Sequence, residues 1–264
     1  MNQILAFIFG IITGSFLNVV ILRLPKGEKI NGRSRCPTCG HTLSALDLIP
    51  VLSYLWLLGR CRYCGAKISP RYAIIELIAG VLFLLCFNYV NPGNLISFIA
   101  LLNFWLIVST LVVVFVIDFE HFLILDQVML FGSIGVLLIN LVLDLLSPEV
   151  FFSLNSHFFS GLLAAFVLAG AFYLLWYFSA GRALGFGDVK LAVFLGLALG
   201  WPAVFAALML AIFLGGVASV VLLSAFSKTL KSQVPFGTFL SLGSLAALFY
   251  GQRLVNWYLA ILGF

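Results

Sequence analysis

Long apolar stretches, separated by short polar ones, dominate the chain. Runs at 4–22, 72–90, 95–117, 128–146, 158–178, 186–200, 202–226 and 236–260 each predict a membrane helix. About 20 mostly apolar residues cross a bilayer, and in hydrocarbon the backbone polar groups must be satisfied within the helix itself. The sixth run is short and carries Gly185, Gly187, Gly196 and Gly200. That pattern predicts a helix that tilts, packs closely on its neighbours or spans only part of the bilayer. Gly215, Gly216 and Ala218 in the seventh run supply further small residues for helix contact, and Ser147, Pro148 and Asn155 mark a loop. One long polar interruption, residues 23–71, follows the first run.

Composition agrees with this pattern: 63% of the residues are hydrophobic and 9% charged. The expected fold class is an all-α polytopic membrane protein of about eight transmembrane helices, with a small zinc-binding cytoplasmic domain after the first helix. The expected division is 1–22 as the first transmembrane helix, 23–71 as the cytoplasmic four-cysteine domain and 72–264 as a multi-helix membrane domain. The first run lacks a basic residue before it and a small-residue cleavage site after it, so it reads as a retained helix rather than a signal peptide.

The net charge of +5 brings topology into the picture. Nine of the fourteen Lys and Arg residues lie within 23–71, which the positive-inside rule places in the cytoplasm. Alternation then puts the turns at 91–94, 147–157 and 200–202 on the far side, and none of them holds a Lys or Arg. The connections at 118–127, 179–187 and 227–235 fall on the cytoplasmic side with Arg182, Lys228 and Lys231. No aromatic platform or recognition helix accompanies the basic residues, so nucleic acid is excluded as a partner. Anionic lipid headgroups account for the basic block, at roughly 1 kcal/mol per residue near the surface.

Cys36, Cys39, Cys61 and Cys64 form two C-x2-C pairs, each closed by a glycine. Four converging thiolates suit tetrahedral zinc, although the 21 residues between the pairs slightly exceed the usual spacing. Two disulfides are the alternative, disfavoured in a reducing cytoplasm. A closed four-thiolate shell leaves no position for water, so the metal is read as structural. Cys86, inside an apolar run, reads as a buried hydrophobe.

Only nine Asp and Glu occur, and three sit at cytoplasmic helix ends: Asp118, Asp126 and Asp188. An ionisable group beside hydrocarbon is costly and is a functional candidate for that reason. Asp118 stands at a helix C-terminus, where the dipole disfavours an anion. Asp188 follows Gly185 and Gly187, which remove bulk so that an extended peptide can approach the carboxylate. Asp126 reads equally well as a helix-start residue stabilised by free N–H groups. Asp118 and Asp188, held close together, would share a proton and activate water for peptide hydrolysis.

The chain resembles the bacterial prepilin peptidases, or type IV leader peptidases, membrane aspartic proteases of the GxGD type. The resemblance runs almost end to end: GSFLNVVILRLP at 14–25, the two cysteine pairs with the intervening LIPVLSYLWLLG, IDFEHFLILD at 117–126, GFGDVK at 185–190 and PFGTFLSLG at 235–243. It carries the catalytic aspartates over to Asp118 and Asp188. This chain departs from the family pattern at Ile124-Leu125-Asp126, where LPD is usual, and at Thr238, where proline is common.

The resemblance implies cleavage of the basic leader of type IV prepilins or pseudopilins at the cytoplasmic face of the bacterial inner membrane. With the four-cysteine domain it also implies N-methylation of the new amino terminus using S-adenosylmethionine. No glycine-rich nucleotide motif locates that cofactor, since GRALGFGD lacks the GK[ST] ending of a phosphate loop. Glu76, in the RYxxxE stretch, is a candidate substrate contact, with an ion pair to a basic neighbour as the alternative. His121 either tunes Asp118 or is a solvated loop residue, and His41 is a spare ligand beside a complete four-cysteine shell. The rival readings are an ion-coupled transporter and a noncatalytic assembly protein with a zinc module. The acids cluster at one face with no polar stripe at the midplane, against the first; the second leaves the aspartates and GFGD without a role.

Overall fold

A computed structural model describes residues 2–147, 156–225 and 235–261. Among the described residues regular structure is helical, apart from isolated bridges between Arg35 and Thr42 and between Arg60 and Lys67. The helices are α1 (Gln3–Arg23), the short α2 (Leu52–Trp56), α3 (Arg71–Val90), α4 (Leu95–His121), α5 (Asp126–Leu145), α6 (His157–Phe178), α7 (Phe186–Leu199), α8 (Ala203–Ala225) and α9 (Phe236–Ile261). All but α2 coincide with the eight apolar runs. By length and composition, six of them are able to cross a membrane: α1, α3, α4, α5, α6 and α8. At 14 residues α7 extends about 21 Å, short of a hydrocarbon core of about 30 Å. α9 carries Gln252, Arg253 and Asn256 in its second half. Most of the 147–157 loop and the connection bearing Lys228 and Lys231 lie outside the described residues.

Two compact units divide the chain, Met1–Pro92 and Gly93–Phe264. In the first, α1 and α3 run antiparallel in close contact. A Cβ on Gly10 would stand 2.7 Å from the Ala79 carbonyl oxygen, and one on Gly14 would stand 2.7 Å from the Glu76 Cα. Only glycine permits such an approach, and in a membrane this small-residue packing replaces the missing hydrophobic drive. Asn18 adds a hydrogen bond to the Tyr72 carbonyl at 3.1 Å.

Residues 27–70 of this unit form the cysteine module. Its two knuckles are joined by side-chain contacts. The His41 ring lies against Tyr63 at 3.7 Å between centroids. Asp47 accepts from the Ser44 hydroxyl at 2.7 Å and the Tyr63 hydroxyl at 2.9 Å, and pairs with Arg62 at 2.8 Å. Val51 adopts φ 62°, ψ −51°, with the Leu52 N–H reaching the Pro50 carbonyl at 2.6 Å. This is a positive-φ γ-turn, a strained form costing about 1–3 kcal/mol, and more unusual for a β-branched residue. Glu76 of α3 holds it, accepting from the Val51 N–H at 2.7 Å. A hydrogen bond to a carboxylate contributes about 1.5–3 kcal/mol, enough to offset that strain.

In the second unit α7 packs on α5, α6 and α9, and Leu191, Ala192, Phe194 and Leu195 are fully buried. Gly196 makes this possible: a Cβ there would stand 2.2 Å from the Ala165 backbone of α6. Between α8 and α9 the close approach falls at Gly243, where a Cβ would meet the Ala207 carbonyl oxygen at 2.6 Å. It does not fall at Gly215, in ordinary contact with Phe239, or at Gly216, which has open space. Because α7 stops within the bundle, its last carbonyls need donors. Asn140 of α5 donates to the Leu197 carbonyl at 2.9 Å and accepts from Asn103 of α4 at 2.7 Å. At the same end Asp144 accepts from the Ser156 hydroxyl and the His157 and Phe158 N–H groups, capping α6.

Candidate active site

Asp118 lies in the last turn of α4 and is 5% exposed. The helix ends three residues later, at His121, because Phe122 turns to φ 55° and returns its N–H to the Asp118 carbonyl. The carboxylate does not face its own helix end alone. Thr238, the third residue of α9, donates its N–H to Oδ2 at 2.7 Å and its hydroxyl at 3.1 Å. The N-terminus of α9, where N–H groups lack intrahelical partners, thus offsets the unfavourable end of α4. Gly237 permits the contact, since a Cβ there would stand 2.9 Å from Oδ2.

Asp188 lies in the first turn of α7, half-buried, and accepts from the Gly185 N–H at 3.2 Å. It lies within reach of the Asp118 charge. Ile124 shows how the elements meet. Its Cδ1 is 3.0 Å from where a Gly237 Cβ would be, and its Cβ is 3.0 Å from where a Gly187 Cβ would be. The loop after α4 is therefore wedged between the starts of α7 and α9. Gly187 is filled by that wedge, whereas Gly185 is exposed, with Asp188 Oδ2 and the Gly187 nitrogen its nearest neighbours.

The other acids have different settings. Asp126 opens α5, is largely exposed and forms an ion pair with Lys190, whose ammonium also stands 5.1 Å from the Phe186 ring centroid. His121 is 3.9 Å from Glu120. Glu76 belongs to the first unit, where it accepts from Val51 and from the Ser15 hydroxyl.

Cys36, Cys39, Cys61 and Cys64 converge, with all four sulfurs within 4.8 Å of one another and Cys36 Sγ 3.9 Å from Cys64 Sγ. Metal–sulfur bonds of about 2.3 Å in a tetrahedron place sulfurs about 3.8 Å apart, so the set fits a metal ion. The amides of Cys39 and Thr38 pull the Cys36 thiol down to about 6 against the effect of burial. At Cys64 the Ala66 amide acts in the same sense, but burial and the three neighbouring thiols outweigh it and push the group up to about 12. A cation among the four sulfurs would offset that repulsion.

Fold and site define a class: a polytopic helical membrane protein with two acids at one end of a bundle and a separate four-thiol module. Residues 8–90 match the model of the bacterial peptidase A24 N-terminal domain, and residues 105–220 that of the type IV leader peptidase family. The chain belongs to the type IV leader peptidase family. It is 34% identical to a prepilin leader peptidase/N-methyltransferase of Aeromonas salmonicida, over 97% of this chain and 93% of the relative. It is 31% identical to the protein of that name from Legionella pneumophila, over 96% and 92%. No solved structure matches the chain.

Proposed function

We propose that the protein cleaves the basic leader from type IV prepilins or pseudopilins at the cytoplasmic face of the bacterial inner membrane, and methylates the new amino terminus. Family membership supports the reaction, and the convergence of the Asp118 and Asp188 turns on Ile124 supports the residues that perform it. One carboxyl keeps a proton while the other takes one from water, whose oxygen adds to the scissile carbonyl carbon. The retained proton passes to the leaving amine as the C–N bond breaks. The proton belongs to the pair rather than to either member.

Thr238 orients Asp118. Gly185 leaves room beside Asp188 for an extended substrate backbone, and Gly187 sets the depth of the turn by seating Ile124. In this reading residues 72–264 carry the peptidase and residues 23–71 the zinc module, with zinc held by Cys36, Cys39, Cys61 and Cys64. S-adenosylmethionine would supply an electrophilic methyl group. Glu76 acts in substrate binding through the Val51 loop that it holds.

Mass spectrometry of a prepilin-like peptide incubated with the reconstituted protein tests the pair. Asp118→Asn and Asp188→Asn should each abolish cleavage, a loss on the order of 10²-fold or more, while Asp126→Asn retains most of it. Near-normal cleavage by either of the first two variants would overturn the assignment.

A further inference from the structure

The cysteine module leaves one face uncovered. Leu52, Leu55 and Trp56 recur at helical spacing along α2 and are 56%, 61% and 78% exposed, and Leu58 just beyond is 85% exposed. Ser53, Tyr54 and Leu57 are partly buried, so the helix presents an apolar side outward. A contiguous apolar face of this kind marks an interaction surface. The depth of this segment is set by a separate observation. Val51, immediately before α2, donates to Glu76, which lies five residues into α3, about 7.5 Å from its start. Glu76 is 8% exposed and also engages Ser15 of α1. The start of α2 is thereby tied to a carboxylate inside a pair of membrane-crossing helices.

The chemistry around the face has a second half. Arg60 and Lys67, opposed across an antiparallel bridge and both exposed, line a groove of about 520 Å³ together with Tyr54 and Leu58. Leucine and tryptophan bordered by arginine and lysine is the composition of segments that lie in the headgroup region of a bilayer. The module also enters α1 and α3 directly at its two ends.

We propose that Leu52, Leu55, Trp56 and Leu58 insert at the acyl–headgroup boundary of the bilayer that α1 and α3 cross, with Arg60 and Lys67 on lipid phosphates. The module then lies on the membrane instead of projecting from it. The proposal names a lipid-contacting surface on the zinc module and involves neither Asp118 nor Asp188.

The test uses the full chain labelled with fluorotryptophan in phospholipid nanodiscs, with the Trp56 fluorine resonance assigned by Trp56→Phe. A nitroxide carried near the headgroup end of the acyl chain should broaden this resonance several-fold more than a water-soluble gadolinium chelate. Broadening by the chelate alone places the face in water and overturns the proposal. Broadening by neither means that protein, such as a second copy of the chain, covers the face, and overturns it equally. A Leu55→Glu, Leu58→Glu variant that keeps full zinc content and peptide cleavage should lose the lipid broadening of Trp56 and become sensitive to the chelate. Unchanged lipid broadening in that variant would also overturn the proposal.

Discussion

At the scale of single residues, two polar side chains outside the cysteine and GxGD motifs hold the functional parts in place. Thr238 stands where the family pattern commonly has proline, which has no N–H to give. Here it gives Asp118 both an N–H and a hydroxyl. Thr238→Val keeps the N–H and removes the hydroxyl, worth about 1 kcal/mol. A fall in kcat/KM of about 5-fold is expected in peptide cleavage, with unchanged thermal stability separating orientation from folding.

Asp47 plays the corresponding part in the module. Burial alone would raise its carboxyl, but the Ser44 hydroxyl and amide, the Tyr63 hydroxyl and Arg62 outweigh burial and hold it below its ordinary value of 3.8. A carboxyl depressed by folding stabilises fully above the unfolded value, and that contribution fades as pH falls through the lower folded value. Arg62 is 45% exposed, so its share is screened. Asp47→Asn should therefore cost about 1–2 kcal/mol at neutral pH, read as earlier release of metal to a chelator. The gap between parent and variant should close in acid, and a widening gap would count against this account.

At the scale of elements, α7 is the member on which the site depends. It is too short to span the bilayer by itself, and its depth is set at both ends. Ile124 seats Gly187 at its start, and Asn140 satisfies Leu197 near its finish. Gly196 lets α6 approach its flank. Replacing glycine by alanine inside a helix ordinarily gains about 0.5–1 kcal/mol. A Cβ 2.2 Å from the Ala165 backbone has no flexible side chain to displace, and overpacking of this kind costs about 1–3 kcal/mol. The clash wins, so Gly196→Ala should lower the thermal midpoint of the purified protein and reduce cleavage, whereas Gly216→Ala, facing open space inside α8, should raise the midpoint slightly and leave cleavage unchanged.

At the scale of the molecule, the compact units group the helices in a way the apolar pattern does not reveal. α3 groups with α1 and the cysteine module, and the two aspartates lie together in the second unit. Four-thiol metal sites contribute about 10–16 kcal/mol of apparent binding energy, more than a core-poor module of this size can supply by burial. Strong chelation should therefore raise amide hydrogen exchange across residues 34–68 to the unfolded rate while α4 and α7 keep their protection. Loss of protection in α4 and α7 at the same chelator concentration would mean that the metal also supports the bundle.

The sequence by itself determined the eight apolar helices, the four-cysteine cluster and the identity of the candidate acids, because each of these is local. A lipid-soluble helix satisfies its own backbone, and a C-x2-C pair turns on its own glycine. The tertiary structure alone decided what lies far apart in the chain. Thr238 reaches Asp118 across 120 positions, Asn140 reaches Leu197 across 57 and Val51 reaches Glu76 across 25. Threonine, asparagine and valine within apolar surroundings carry no periodic signal, and their roles exist only once folding brings a distant carboxylate or unpaired carbonyl alongside. The same holds for the glycines: Gly196 and Gly243 became helix contacts while Gly216 did not, since a missing side chain matters only where another backbone comes close.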